Sequence, residues 1–317
     1  MKTLVLGAGM AGVTCAKTLR DEGEDVVVFD KARGPSGRMA SRRSEKGSFD
    51  HGAPLFRVRN GEFQSAVDQW VSEGLVTRWA PSWSGDSSLS AFEWYTAQPR
   101  MSALLRRLSE GVECRWEERA CGVHRSEGQW VVEFESGKSH VADKLICTLP
   151  APQAADLLSS ALPSLGQELS EIPFHGTWTG LFHFADSLPV KWDLHREGPD
   201  CMGPLHTVVR ESTKPGRDGG ERVVVHALDR WSDDHLDLEK EEALPLLRDA
   251  LKSMIGELPL ETFSMAHRWR YAHSSAPWGR THYWKDGLGI AGDWCLGAGV
   301  GAAWGSGHAL ARSILGP

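Results

Sequence analysis

The chain is poor in tyrosine: it has three, Tyr95, Tyr271 and Tyr283, against fourteen tryptophans. A site made of facing tyrosine rings is therefore disfavoured. Most of the tryptophans read as packing, and the rest could wall a pocket for a planar ligand. No run of 18 apolar residues occurs, so no membrane span is expected. Positive charge is not in excess either. The 35 Lys and Arg residues face 42 Asp and Glu, a net −7, which argues against nucleic acid as a partner. No two cysteines have C-x-x-C spacing, and no Cys/His spacing suggests zinc. Cys15, Cys114, Cys121, Cys147, Cys201 and Cys295 read as the reduced thiols of a cytoplasmic protein. The pairs His124/His140 and His226/His235 lack the spacing of metal ligands, and no G-x-S-x-G elbow is present. Lys2 before an apolar run imitates a signal peptide, but Gly7 interrupts that run.

What the chain does have lies at its start. The apolar run Leu4-Val5-Leu6 breaks into Gly7-x-Gly9-x-x-Gly12, and a helix-like stretch follows to about Leu19. A second apolar run, Val26-Val27-Val28-Phe29, ends on Asp30. Strand, glycine turn, helix, strand and acid are in the order a dinucleotide-binding unit requires. Gly7 permits the turn, Gly9 lets the backbone approach a pyrophosphate, and Gly12 lets helix and strand close up. The helix start, with Met10 and Ala11, offers unpaired N–H groups and a positive dipole end. Asp30 is placed to accept from ribose hydroxyls. A second match, Gly287-x-Gly289-x-x-Gly292, runs into Asp293-Trp294 rather than a helix and is a decoy.

Further along, apolar spacing predicts helices over 62–73, 101–108, 238–255 and 302–315. Strands are expected over 112–116, 129–134 and 144–149, the first two in a meander joined around 122–124, and again over 176–185 and 221–228. Residues 82–90 and 214–220 read as polar loops. A final strand, Gly287 to Ala291, ends in Gly292-Asp293, and Gly297 to Gly301 lead into the last helix. One acid near each end suits an extended cofactor with two heads. Asp30 would hold its adenosine half, and Asp293 the polyol or phosphate of a flavin half. This favours FAD over NAD. The fold class expected is α/β: a discontinuous Rossmann-like FAD-binding domain (1–60, 98–155 and 280–317) with an inserted α+β substrate domain (61–97 and 156–279) built on a mostly antiparallel sheet.

Asp30 followed eight residues later by Arg38, in Asp30-Lys31-Ala32-Arg33-Gly34-Pro35-Ser36-Gly37-Arg38-Met39, resembles the acid-to-Gly-Gly-Arg segment of the flavin amine oxidase superfamily. More closely, the chain is similar to the bacterial renalases. The likeness is carried by that segment, Asp50-His51-Gly52-Ala53, Met101-Ser102-Ala103, Thr148-Leu149-Pro150-Ala151-Pro152-Gln153-Ala154, Ala266-His267-Arg268-Trp269-Arg270-Tyr271-Ala272 and Gly292-Asp293-Trp294-Cys295-Leu296, in order over nearly the full length.

The resemblance implies FAD held without a covalent bond. It implies oxidation of isomeric dihydronicotinamide dinucleotides, reduced at the wrong ring carbon, by hydride transfer to flavin N5. Dioxygen then reoxidises the flavin and gives hydrogen peroxide. Such a donor loses no proton from the reacting carbon, so a flat, dry slot suffices and no strong base is needed. Arg38 is expected on the cofactor pyrophosphate. Met10, Ala11, Lys31, Gly37, Met39, Thr148, Gly292, Gly299 and Val300 are expected to line the cofactor, and His51, Gly52 and Ala53 to run along its reactive side. His267 or Arg268 would meet the substrate's carboxamide or phosphates, and Trp269 or Tyr271 would stack on it. Trp178 and Trp231 match tryptophan positions of renalase-like chains and read as packing. Pro35-Ser36 replaces a glycine-richer turn, and Leu55 stands where relatives carry a tyrosine, which removes a hydroxyl near the flavin. Two other readings stay open: a flavin-dependent amine oxidase, for which Lys285 is the nearest candidate lysine, and an FAD-binding protein without turnover. The oligomeric state is left open.

Overall fold

A computed structural model describes residues 1–198, 200–217 and 219–316. The chain forms two compact units: 1–38, 105–174 and 273–317, and 39–104 with 175–272. These boundaries differ from those expected. Residues 156–174 belong to the first unit because the helices Ala151–Leu158 and Pro163–Ser170 bury Leu157, Leu158, Leu165 and Leu169 in that unit's core. Residues 39–60 belong to the second because Phe49 is buried there with Leu181 and Val224. Among the described residues, no helix is long and apolar enough to cross a membrane, and all six cysteines are free.

In the first unit six strands run in the order Tyr283–Lys285, Leu288–Ile290, Lys144–Cys147, Lys2–Leu6, Asp25–Asp30 and Glu113–Trp116. Neighbours are parallel except for the first pair. The central strands carry the apolar runs Leu4-Val5-Leu6 and Leu145-Ile146-Cys147 because both faces are covered, as parallel sheets require. From Lys2–Leu6 the chain crosses by the helix Met10–Asp21 to Asp25–Asp30. The strand on the other side, Lys144–Cys147, comes from much later in the chain. The sheet order thus reverses beside Leu6, and open α/β sheets bind ligands at such a reversal, beyond the carboxyl ends of the strands.

The expected meander is displaced by one strand. Glu113–Trp116 joins the parallel sheet, whereas the predicted connection at 122–124 is itself the strand Ala120–Ser126, paired with Gln129–Phe134 and then Ser139–Ala142. Short apolar runs do not reveal which sheet will take them.

The second unit holds a six-stranded sheet in the order Glu261–Ser274, Phe174–Phe184, Glu221–Ala227, Leu205–Arg210, Leu194–Arg196 and Trp83–Gly85. The last strand lies inside the predicted loop 82–90 and pairs in parallel with Leu194–Arg196. Side chains alternate across this sheet. Phe182, Val223 and Val225 face the helix Lys240–Ile255, which buries Ala243, Leu247 and Leu251 against them. That helix starts with a reciprocal cap: Glu239 accepts from the N3 backbone, and Glu242 Oε2 accepts from Glu239 N at 2.8 Å. On the other face Leu181 and Val224 pack with Phe49, Phe263 and Met265.

Candidate active site

In the first unit the turn after Lys2–Leu6 is shaped for an anion. Gly7 has φ +103°, a conformation that suits only glycine. A Cβ on Gly12 would lie 2.0 Å from the Gly7 carbonyl oxygen, so helix and turn close only with glycine there. At Gly9 the nearest atom to such a Cβ is the Gly37 Cα, 3.8 Å away, which leaves the turn open on that side. No side chain caps the helix that begins at Met10, so the first-turn amides, among them Ala11 and Gly12, keep their hydrogens for a ligand. Asp30, at the end of the next strand, accepts from Ala8 N at 2.6 Å and from Ala32 N at 2.8 Å. Its carboxylate is thereby fixed beside the turn. Lys31 beyond it is exposed. The Thr148 hydroxyl donates to the carbonyls of Leu6 (2.9 Å) and Gly7 (3.1 Å), so it braces the turn from behind.

Arg38 and Asp293, expected to grip separate parts of a cofactor, grip each other. Arg38 Nη2 lies 2.6 Å from Asp293 Oδ1 and Nη1 lies 3.1 Å from Oδ2, the two-pronged arrangement that makes such pairs strong. Asp293 Oδ1 also takes Trp294 N at 2.9 Å. Just before it, Gly292 N donates to Ser306 Oγ, whose own hydrogen goes to the Thr281 carbonyl. Gly299, with φ +126°, stands before the uncapped last helix, which opens on the buried Val300. Gly37 and Met39 lie in a single helical turn in which Met39 is buried.

In the second unit three rings gather. His51 stacks on Trp269 (centroids 5.2 Å apart), and His267 meets both edge-on, at 4.6 Å from His51 and 4.5 Å from Trp269. Strand alternation explains the choice. His267 and Trp269 are on the face of Phe263 and Met265, and His226 is on the face of Val224. The backbone of the His51 segment is pinned by Trp269 Nε1, which donates to the His51 carbonyl at 3.0 Å, and by contacts of His226 Nε2 with the carbonyls of His51 and Gly52. Ala53 follows, half-buried. Burial pulls the His51 imidazole down to about 3, with the neighbouring His267 adding to it. His226 and His267 are drawn to about 4, again by burial first. All three are therefore neutral at neutral pH.

Arg268 is not in this group. It lies on the opposite face, donates from Nη1 to the carbonyls of Leu236 and Leu238 at 2.8 Å each, and sits over the Trp178 ring. Tyr271, on the face of His267 and Trp269, is half-buried. Trp178 is fully buried and Trp231 partly, both in the packed core against Lys240–Ile255.

A buried ionic group next to His51 escaped the sequence reading. Asp50 Oδ2 receives Arg217 Nη2 at 2.6 Å and Lys214 Nζ at 3.1 Å, and Lys214 also pairs with Glu211. Asp50 Oδ1 takes Met101 N (2.9 Å) and the Ser41 hydroxyl (2.6 Å), and Glu211 Oε2 takes Asp50 N at 3.2 Å. Burial opposes ionisation of Asp50, but Lys214 and Arg217 outweigh it and hold the carboxyl low. Glu211, also buried but less well compensated, is raised to about 7. Lys214 and Arg217 both fall in the run 214–220, whose composition reads only as a polar loop. No spacing signal links them to Asp50.

Two matches to known families bear on this chain. Residues 5–70 match the NAD(P)-binding Rossmann-like domain, and residues 83–315 match the flavin containing amine oxidoreductase family. The chain belongs to the flavin containing amine oxidoreductase family. It is an FAD-dependent oxidoreductase with the mixed α/β Rossmann-type fold of that family. It is similar to renalase of Mus musculus, 21% identical over 315 residues and 92% of each chain. Among the solved structures that share its fold are the following two. One is cyclohexylamine oxidase of Brevibacterium oxydans (TM-score 0.78, 13% identity, 99% of this chain and 98% of the other). The other is an oxidoreductase of Methanosarcina mazei (TM-score 0.70, 14% identity, 99% and 100%). FAD fits the first unit on its geometry: an open glycine turn, uncapped helix amides and an acid fixed at the end of Asp25–Asp30.

Proposed function

We propose that this flavoenzyme oxidises isomeric dihydronicotinamide dinucleotides, those reduced at a ring carbon other than C4. Bound FAD would supply a hydride acceptor and a route for the electrons to dioxygen, with hydrogen peroxide as the product. The observation that carries the reading is the uncharged ring cluster of His51, His267 and Trp269. A dihydropyridine is planar and neutral, and its reacting carbon gives up no proton. It needs a flat surface and exclusion of water, not a base. Imidazoles held at about 3 and 4 supply the first without adding charge. In this reading His51, Ala53, His267, Trp269 and Tyr271 serve the substrate, and Arg268 supports the strand from behind.

The cofactor contacts follow the geometry of the first unit. The pyrophosphate would take the amides of Met10, Ala11 and Gly12 beside Gly7 and Gly9, and the adenosine ribose would take Asp30, with Lys31 beside it. The flavin half would lie along Gly37, Arg38, Met39, Gly292, Asp293, Gly299 and Val300, with Thr148 bracing the turn.

An amine donor is supported less well. It would arrive as an ammonium ion, and burial of the three imidazoles marks surroundings that disfavour positive charge. A tyrosine cage is also less well supported, since Tyr95 is buried with its hydroxyl on Glu93 at 3.0 Å. Anaerobic mixing of the yellow holoenzyme with 2- or 6-dihydronicotinamide dinucleotides should bleach the flavin absorbance within seconds, and admission of air should restore it with release of peroxide. Bleaching by cyclohexylamine or other amines, with none by the dihydronicotinamides, would replace this reading with amine oxidation. Bleaching by neither would leave FAD binding without turnover.

A further inference from the structure

We propose that Arg57, Arg59 and Arg196, with the rings of Phe92 and Trp94, form a subsite for a nucleoside diphosphate, occupied by the adenylate half of the dinucleotide substrate. The proposal rests on the dinucleotide reading above and names the part of the substrate remote from the reacting ring.

All five residues belong to the second unit. Phe56 and Tyr95 pair as an antiparallel bridge, which sets Arg57 opposite Trp94. The Arg57 guanidinium lies 4.3 Å from the centre of the Phe92 ring and 5.7 Å from that of Trp94. Arg59, two residues on, is exposed, and its charge acts on Arg57. Trp94 contacts Trp83 (5.8 Å), and Trp83 opens the short strand that pairs with Leu194–Arg196 and so brings in Arg196.

Three guanidinium groups are thus gathered with no carboxylate in direct contact among the described residues. No carboxylate pairs with Arg57, Arg59 or Arg196 among the described residues, and Arg196 Nε is buried without an acceptor. The neighbouring acids are committed elsewhere. Asp86 feels Arg196 but accepts from Ser88 N and Ser88 Oγ, Glu93 is shared by Arg78 and Tyr95, and Glu197 meets His195. Burial, and then Arg59 and Arg196, hold the Arg57 guanidinium below the usual arginine value. Gathered like charges are unfavourable by themselves and become favourable around an anion. Guanidinium forks match phosphate oxygens in pairs. Phe92, half exposed, offers an apolar ring beside them, on which a purine can stack. Phosphates next to an aromatic shelf describe a nucleotide better than a simple anion. The subsite also lies within reach: Arg57 is six residues from His51, at most about 20 Å along extended chain.

The test uses FAD-loaded enzyme and three probes: an isomeric dihydronicotinamide dinucleotide, the matching dihydronicotinamide riboside, and ADP. Wild-type enzyme should bind ADP in equilibrium dialysis. ADP should compete with the dinucleotide in anaerobic flavin reduction without altering reduction by the riboside. Arg57→Gln should raise the Kd for the dinucleotide and for ADP about tenfold to hundredfold, as loss of one charged phosphate contact does, with the riboside unchanged. The exposed Arg59→Gln, which poses no folding problem, should act in the same direction by less. Absence of ADP binding to the wild type would overturn the subsite even if the dinucleotide is oxidised. A changed rate with the riboside on adding ADP would overturn its assignment to the substrate and mark a free nucleotide effector. If ADP binds as described but no dihydronicotinamide bleaches the flavin, the dinucleotide reading fails and takes the assignment to the substrate with it.

Discussion

Single residues decide whether the His51 segment is held in place. Asp50 carries two buried cations, two further hydrogen bonds and the position next to His51 in the chain. Removing one partner of such a group leaves charge buried without compensation, which costs about 3–5 kcal/mol. Asp50→Asn should therefore lose about that much stability in urea unfolding. Asp50→Asn with Lys214→Met should recover part of it, because the second change removes one of the stranded cations. A loss below about 1 kcal/mol for the single variant would show that the ionic group does not carry the segment. Asp50 was visible in the sequence as part of a motif. Its partners were not, because a buried cation and a solvated one look alike as letters in a polar loop.

At the level of elements, the nucleotide turn depends on how the first helix meets the last. A Cβ on Gly307 would lie 2.2 Å from the Ala11 carbonyl oxygen, and that backbone atom has no side-chain freedom to yield. Gly307→Ala should push Val300–Leu315 away from Met10–Asp21 and lower stability by about 1–3 kcal/mol. The same displacement moves the Met10 and Ala11 amides, so flavin should dissociate more readily, read as the rise in fluorescence on its release. Gly305→Ala is the control: its nearest neighbour would be Leu296 Cδ1 at 3.7 Å, so it should be tolerated. If Gly307→Ala destabilises the protein and leaves flavin affinity unchanged, the helix contact and the turn are independent. The glycines at 305 and 307 look equivalent in sequence, and only the facing helix distinguishes them.

For the whole molecule, the buried titratable groups predict an acid-labile fold. His51, His226 and His267 have folded values of about 3, 4 and 4 against 6.5, so they favour the folded state above pH 6.5 and lose that contribution as pH falls toward 4. Glu211 acts in the opposite sense. Raised from 4.5 to about 7, it favours the folded state below pH 4.5 and loses that contribution as pH rises through 7. Near pH 5.5 the unfolded chain binds three imidazole protons that the folded chain lacks, and the folded chain holds one carboxyl proton more. The net difference of about two protons means that stability should fall by about 3 kcal/mol per pH unit between pH 6.5 and 4.5. Urea unfolding at several pH values measures this slope, and His267→Asn should reduce it by about one proton. A flat profile would mean that the three imidazoles are not buried as neutral groups.

The order of strand, glycine turn, helix, strand and acid was enough to determine the dinucleotide half, because those contacts are local: Gly7, Gly12 and Asp30 meet within one supersecondary unit. The composition of 214–220 says nothing comparable about distant partners. Only the tertiary structure joined Arg38 to Asp293, 255 residues apart, turned Arg268 away from His267 and Trp269, and brought Arg57 and Arg196 to one aromatic shelf. The reason is physical. A turn is specified by the backbone freedom of its own residues, whereas a charge cluster is specified by sheet pairing and by which face each strand presents.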